Sequence, residues 1–121
     1  MKKFVLVSLV FAALIACNSN DDKGKKDSAD KTQSSDYKNA MAIIGKSNCL
    51  TCHRVDEPFT GPSYVEVANK YADRADAESY LADKIIAGGS GNWGQAPMLP
   101  HPEIPMEDAK TLARYILSLK K

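Results

Sequence analysis

Residues 47–56 read SNCLTCHRVD, and five of them, Cys49-Leu50-Thr51-Cys52-His53, place two thiols and an imidazole within one short turn of chain. Thiolate sulfur and imidazole nitrogen are ligands that soft and borderline metals take. The chain has 121 residues, one domain's worth at most. Three uses compete for such a cluster: a redox dithiol, half of a zinc site, or attachment of a haem. The residues around it decide.

Upstream, the first 16 residues read as a segment outside the fold. Lys2 and Lys3 precede an apolar run from Phe4 to Ala16, broken only by Ser8. A bilayer span needs roughly 20 apolar residues, so the run reads as a secretory leader rather than a transmembrane helix. Its end, Leu14-Ile15-Ala16-Cys17, resembles the lipobox of bacterial lipoproteins. The resemblance implies cleavage before Cys17 and lipid on its sulfur and N-terminus. The chain would then be anchored to a bacterial membrane, outside the cytoplasm, facing the periplasm or the cell exterior. Of the three cysteines, Cys49 and Cys52 remain, in a compartment where thiols do not stay free for long.

Residues 18–36, NSNDDKGKKDSADKTQSSD, hold no aromatic and no aliphatic larger than Ala29. Too little apolar surface is present to offset the entropy of ordering. Residues 17–36 are therefore expected to form a flexible polar linker, with a root-mean-square span of ~25 Å.

Residues 37–121 are the domain. Across the chain 16 Lys and Arg balance 15 Asp and Glu, so the basic patch that nucleic-acid binding requires is missing. Apolar residues recur with helical spacing. Tyr37, Ala40, Met41 and Ile44 form one stripe, capped by Asp36 or Ser35. Ser63-Tyr64-Val65-Glu66 reads as a capping box ahead of Tyr64, Val67, Ala68 and Tyr71. Asp76 is expected to cap a third helix carrying Tyr80, Leu81 and Ile85, closed by Gly88-Gly89. Met106 to Lys120 is a last helix, with Ala109, Leu112, Ala113 and Ile116 facing inward and Glu107 and Asp108 at its positive end. No alternating strand pattern competes. Four short helices and one long Gly/Pro-rich loop, Gly88 to Ile104, make an all-α fold. Such a loop is usually functional, and so small a core calls for a staple, a metal or a cofactor.

Zinc fits poorly. Beyond Cys49, Cys52 and His53 only His101 is left as a nitrogen or sulfur ligand of the usual kind, and adjacent Cys52 and His53 converge badly on one tetrahedral ion. A thioredoxin-like dithiol normally follows a strand in a βαβ unit, whereas this motif follows a helix. Cys-x-x-Cys-His is the signature of c-type haem attachment: two thiols join the two vinyl groups and the histidine supplies one axial ligand. The second axial ligand is then expected from the long loop. Met98 stands there in Gln95-Ala96-Pro97-Met98-Leu99-Pro100, where prolines on both sides stiffen the backbone. Met41 and Met106 read as packing residues, and His101 is the rival ligand.

With these pieces in order, the domain resembles the small single-haem class I bacterial cytochromes c. The resemblance covers residues 37–121. It is carried by Cys49 to His53, Thr60-Gly61-Pro62-Ser63-Tyr64, Gly88-Gly89-Ser90-Gly91-Asn92-Trp93-Gly94, Pro97-Met98 and the last helix from Ala113 to Leu119. It implies four short helices around one covalent haem c, with Cys49 and Cys52 bound to the ring and His53 and Met98 on the iron. Pro62 would offer its carbonyl to His53, and Trp93 would pack beside the haem. The first and last helices would cross, Ile44 meeting Leu112, Tyr115 and Ile116. Two positions depart from the pattern: Leu99, where the family often has proline, and Ile44, where it often has an aromatic. The implied function is one-electron transfer without substrate turnover, in a respiratory or other redox chain. The implied partners are an oxidase, reductase, dehydrogenase or another cytochrome, and the chain is expected to be a monomer. A haem enzyme or sensor, reducing peroxide or binding a gas, is the alternative if Met98 is labile.

Overall fold

The computed structural model describes residues 23–121, and side-chain surroundings from residue 35 onward. The leader and Cys17 lie outside the described residues. Four helices, α1 (Lys23–Lys46), α2 (Tyr64–Tyr71), α3 (Ala77–Ala87) and α4 (Met106–Leu117), are joined by a short 3₁₀ turn at Cys49–Thr51 and a two-stranded sheet, β1 (Gly89–Gly91) and β2 (Gly94–Met98).

α4 is the hub, packing against α1, α2 and α3. Its inward residues Ala109, Leu112, Ala113 and Ile116 are all buried, as their spacing demands, and Tyr115 joins them. Ala40 and Ile44 of α1, Tyr64, Val67 and Tyr71 of α2, and Leu81, Ala82 and Ile85 of α3 complete one core cluster. Four alanines without exposed surface, Ala40, Ala82, Ala109 and Ala113, lie in it; small side chains of this kind let helix backbones approach closely. Tyr37 is half-exposed, yet its ring meets Tyr115 edge-on at 5.7 Å. Arg114 ties three helices together: Nε donates to Asp36 and Nη1 to Glu78, both at 2.9 Å.

The Ser63 capping box is complete. The Glu66 N–H donates to Ser63 Oγ (3.1 Å), and the Ser63 N–H donates to Glu66 Oε2 (2.8 Å). Gly88 closes α3 with φ 69°. Asp76 differs from expectation. It precedes α3 without a side-chain capping bond, because Arg74 holds its carboxylate through Nε and Nη2.

Two elements depart from the sequence reading. α1 begins at Lys23, inside the segment expected as flexible linker, and no cap stands at Ser35 or Asp36. Neither proline nor glycine follows Gly24 before Gly45, so once packing nucleates the helix at its inner end, each added residue costs little. The long loop also contains a β-hairpin, with Gly89 opposite Met98, Gly91 opposite Gly94, and a register shift between. Both strands are exposed on both faces apart from Met98. A strand that buries neither face has no reason to alternate apolar and polar residues, and its glycines at positive φ mask it further.

Ile44 is 2% exposed at the crossing of α1 and α4. Ile44→Ala is expected to destabilise the holoprotein by ~2–5 kcal/mol, read as a lower denaturation midpoint with an unchanged slope. Arg114→Met, at a partly exposed site, is expected to cost less than ~1 kcal/mol.

Candidate cofactor site

The site begins with a strained residue. Asn48 adopts φ 55°, the left-handed conformation that asparagine tolerates better than most. It turns the chain out of α1 and into the 3₁₀ turn. The N–H groups of Cys52 and His53 both donate to the Cys49 carbonyl, at 3.2 and 3.0 Å. Arg54 then folds back, donating from Nη1 to the carbonyls of Leu50 and His53, with its guanidinium 4.3 Å from the Phe59 ring. The cysteines and His53 are thus presented by a turn whose own backbone is bonded closed.

The loop from Arg54 to Pro62 returns to the same turn. Gly61 N–H donates to Cys52 O at 2.9 Å, and Tyr64 N–H to Arg54 O at 3.0 Å. His53 Nδ1 lies 2.7 Å from the Pro62 carbonyl oxygen. A carbonyl only accepts, so Nδ1 carries a proton, and Nε2 is the ring nitrogen left for another partner. The imidazole is also stacked on Tyr64, centroids 5.6 Å apart at 24°. On its other flank it lies against Gly61, where a Cβ would sit 2.8 Å from Cε1. Only glycine leaves room for the ring.

One cavity of about 680 Å³ connects the expected site residues, within the ~300–1,000 Å³ typical of ligand and cofactor sites. Cys49, Cys52, His53, Pro62, Trp93 and Met98 all line it. Leu81 and Ile85 of α3 and Leu112 and Ile116 of α4 form apolar walls. Met98, the last residue of β2, is half-buried and packs against the core cluster. Burial pushes the Cys49 thiol and the Tyr64 hydroxyl up from their ordinary values. His101 lines the cavity too. Its N–H is held by the Ile85 and Ile86 carbonyls, and its Nδ1 lies 2.9 Å from Glu103 Oε1.

Two glycines that shape the site carry no chemical signal in the sequence. Gly61 stood inside a recognisable motif, but its packing against the imidazole is visible only in three dimensions. Gly88 ends α3, and its backbone also approaches the strand that carries Met98: a Cβ there would lie 2.5 Å from Met98 O and 2.9 Å from Pro100 N. The combination of two thiols, an imidazole with one free nitrogen, a thioether and apolar walls around one cavity fits a haem. It fits a bare metal ion less well, and no cluster of three or more His, Cys, Asp or Glu suited to a metal occurs among the described residues.

Comparison with known proteins agrees. A family model described as Cytochrome c matches residues 37–120. Cytochrome c-552 of Nitrosomonas europaea is 51% identical over 78 residues, covering 64% of this chain and 76% of that one. Cytochrome c-552 of Hydrogenobacter thermophilus is 39% identical over 120 residues, covering 99% of this chain and 100% of that one. The crystal structure of wild-type Nitrosomonas europaea cytochrome c552 superposes with a TM-score of 0.64 at 48% identity, covering 66% of this chain and 99% of that one.

Gly61→Ala is expected to push the imidazole from its seat. Purified holoprotein should show altered axial-ligand absorption and a lower unfolding midpoint, whereas Gly45→Ala, with open space around it, should show neither.

Proposed function

Since this chain belongs to the cytochrome c family, as a small class I bacterial member with one covalently attached haem c, we propose that it is a one-electron carrier using Cys49, Cys52, His53 and Met98 at the haem. The observation that carries this reading is the cavity that gathers both thiols, the imidazole and the thioether. In the proposal, Cys49 and Cys52 hold the ring through thioether bonds. His53 offers Nε2 to the iron while Pro62 fixes the ring plane and raises its basicity through Nδ1. Met98 would hold the iron through its thioether sulfur, a ligand that favours the reduced state and raises the potential. The bound haem supplies reversible one-electron chemistry between Fe(II) and Fe(III).

With His53 and Met98 both on the iron, no position would remain for oxygen or peroxide, and the chain would act as a carrier rather than a catalyst. Trp93 and the apolar walls from α3 and α4 would lie beside the ring. His101 is the group that a peroxide-reducing or gas-sensing reading would need, and its tie to Glu103 occupies Nδ1.

We further propose that residues 1–16 are a lipoprotein leader and that lipid on Cys17 anchors the domain outside the cytoplasm. Among the described residues no helix is long and apolar enough to cross a membrane. Confinement to a layer beside a membrane would raise the effective concentration of the carrier for membrane-bound redox partners such as an oxidase, reductase, dehydrogenase or another cytochrome.

The test is the absorption spectrum of the domain made with a c-type maturation system, oxidised and then reduced. Wild type is expected to show covalent haem and the weak far-red band of methionine on ferric iron. Met98→Ala is expected to keep the haem, lose the band and lower the potential by roughly 0.1 V or more, within the range that axial ligands command. Covalent haem in a wild type that lacks the band would instead move the ligand to His101.

A further inference from the structure

Met98 sits at the end of a hairpin that other elements of the chain touch at few points. β1 and β2 bury little surface against the rest of the chain, and most of their residues line the cavity instead. Gly88, Gly89, Gly91 and Gly94 all stand at positive φ, giving the hairpin compliant corners. Two side chains reach its turn from the helices. Lys70, in the last turn of α2, donates from Nζ to the Asn92 carbonyl at 2.8 Å. The same ammonium lies 4.2 Å from the Trp93 ring centroid. From α3, the Tyr80 hydroxyl accepts from Asn92 Nδ2 at 3.2 Å. None of the ion pairs among the described residues uses Lys70, so its charge is directed at the hairpin turn and the rings beside it.

We propose that Lys70 is a latch on the hairpin and sets how often Met98 lifts from the cavity. A hydrogen bond from a charged donor is stronger than the neutral one from Asn92 to Tyr80, and the cation over the indole adds to it. Both contacts fall in the turn, six and five residues before Met98, and they join it to α2, whose other end is capped beside Pro62. Release of the turn frees the hairpin while α4 and the core stay folded, a local opening rather than a global one. Lys70 is therefore a positioning residue, acting on Met98 through the Asn92 carbonyl and the Trp93 ring. Its consequence at the iron rests on Met98 being an axial ligand; the latch itself rests on the contacts alone.

The experiment compares wild type, Lys70→Ala and Lys70→Arg as holoproteins. Amide hydrogen exchange is expected to quicken about tenfold across Gly89–Met98 in Lys70→Ala, equivalent to ~1.4 kcal/mol, with α4 amides unchanged and Lys70→Arg restored to wild-type protection. Unchanged hairpin exchange, or an equal rise throughout α4, overturns the latch. Cyanide binding to the ferric protein, followed as loss of the far-red band, is expected to accelerate by the same factor. A wild type that lacks this band refutes Met98 ligation, and the exchange comparison still decides the latch.

Discussion

The hydrogen bond between His53 Nδ1 and the Pro62 carbonyl is the contact on which the rest of the site depends. It is short, 2.7 Å, and it joins the turn carrying both thiols to the chain entering α2. Everything near it is arranged to keep it. Gly61 makes room for the ring, Tyr64 stacks on it, and the capping box at Ser63 fixes the start of α2 one residue after Pro62. Because α2 packs on α4, the orientation of one imidazole is coupled to the main helix crossing of the domain.

The core around this contact is thin. Its buried side chains come from four helices and from Ile104 in the loop before α4, and they leave a large cavity between α3, α4 and the hairpin. Helices with one apolar stripe each cannot close over such a space with aliphatic groups alone. In a cytochrome c the apolar macrocycle takes that place, so cofactor and core are one structural unit. The folded state then gains stability from haem attachment in addition to chemistry, as expected for any group that binds the native state alone.

Much of this was legible in the sequence where residue identity and spacing carry the physics. The Cys-x-x-Cys-His run marks itself by residue type, the stripe Ala109, Leu112, Ala113 and Ile116 by its period, and Ser63 and Glu66 by their three-residue separation. Other features depend on what is absent or on what lies opposite. The hairpin from Gly89 to Met98 buries neither face, so no alternation announces it. The extension of α1 back to Lys23 is permitted by the absence of helix breakers between Gly24 and Gly45, whereas polar composition alone suggests a linker there. Gly61 and Gly88 matter because of atoms 8 and 10 residues away in the chain, a distance that local pattern does not cover. Lys70 reads as an ordinary surface charge until Asn92 and Trp93 are set beside it.

The placement of α4 has a consequence for the order of events in the life of the chain. Leu112 and Ile116 wall the cavity, and Lys121 at the very end donates to Asp56, three residues past His53. The two cysteines and the last helix therefore meet at one space, lining it from different sides. Covalent attachment of a ring at Cys49 and Cys52 would come before α4 closes on that space, and the final helix would settle on a surface that includes the ring.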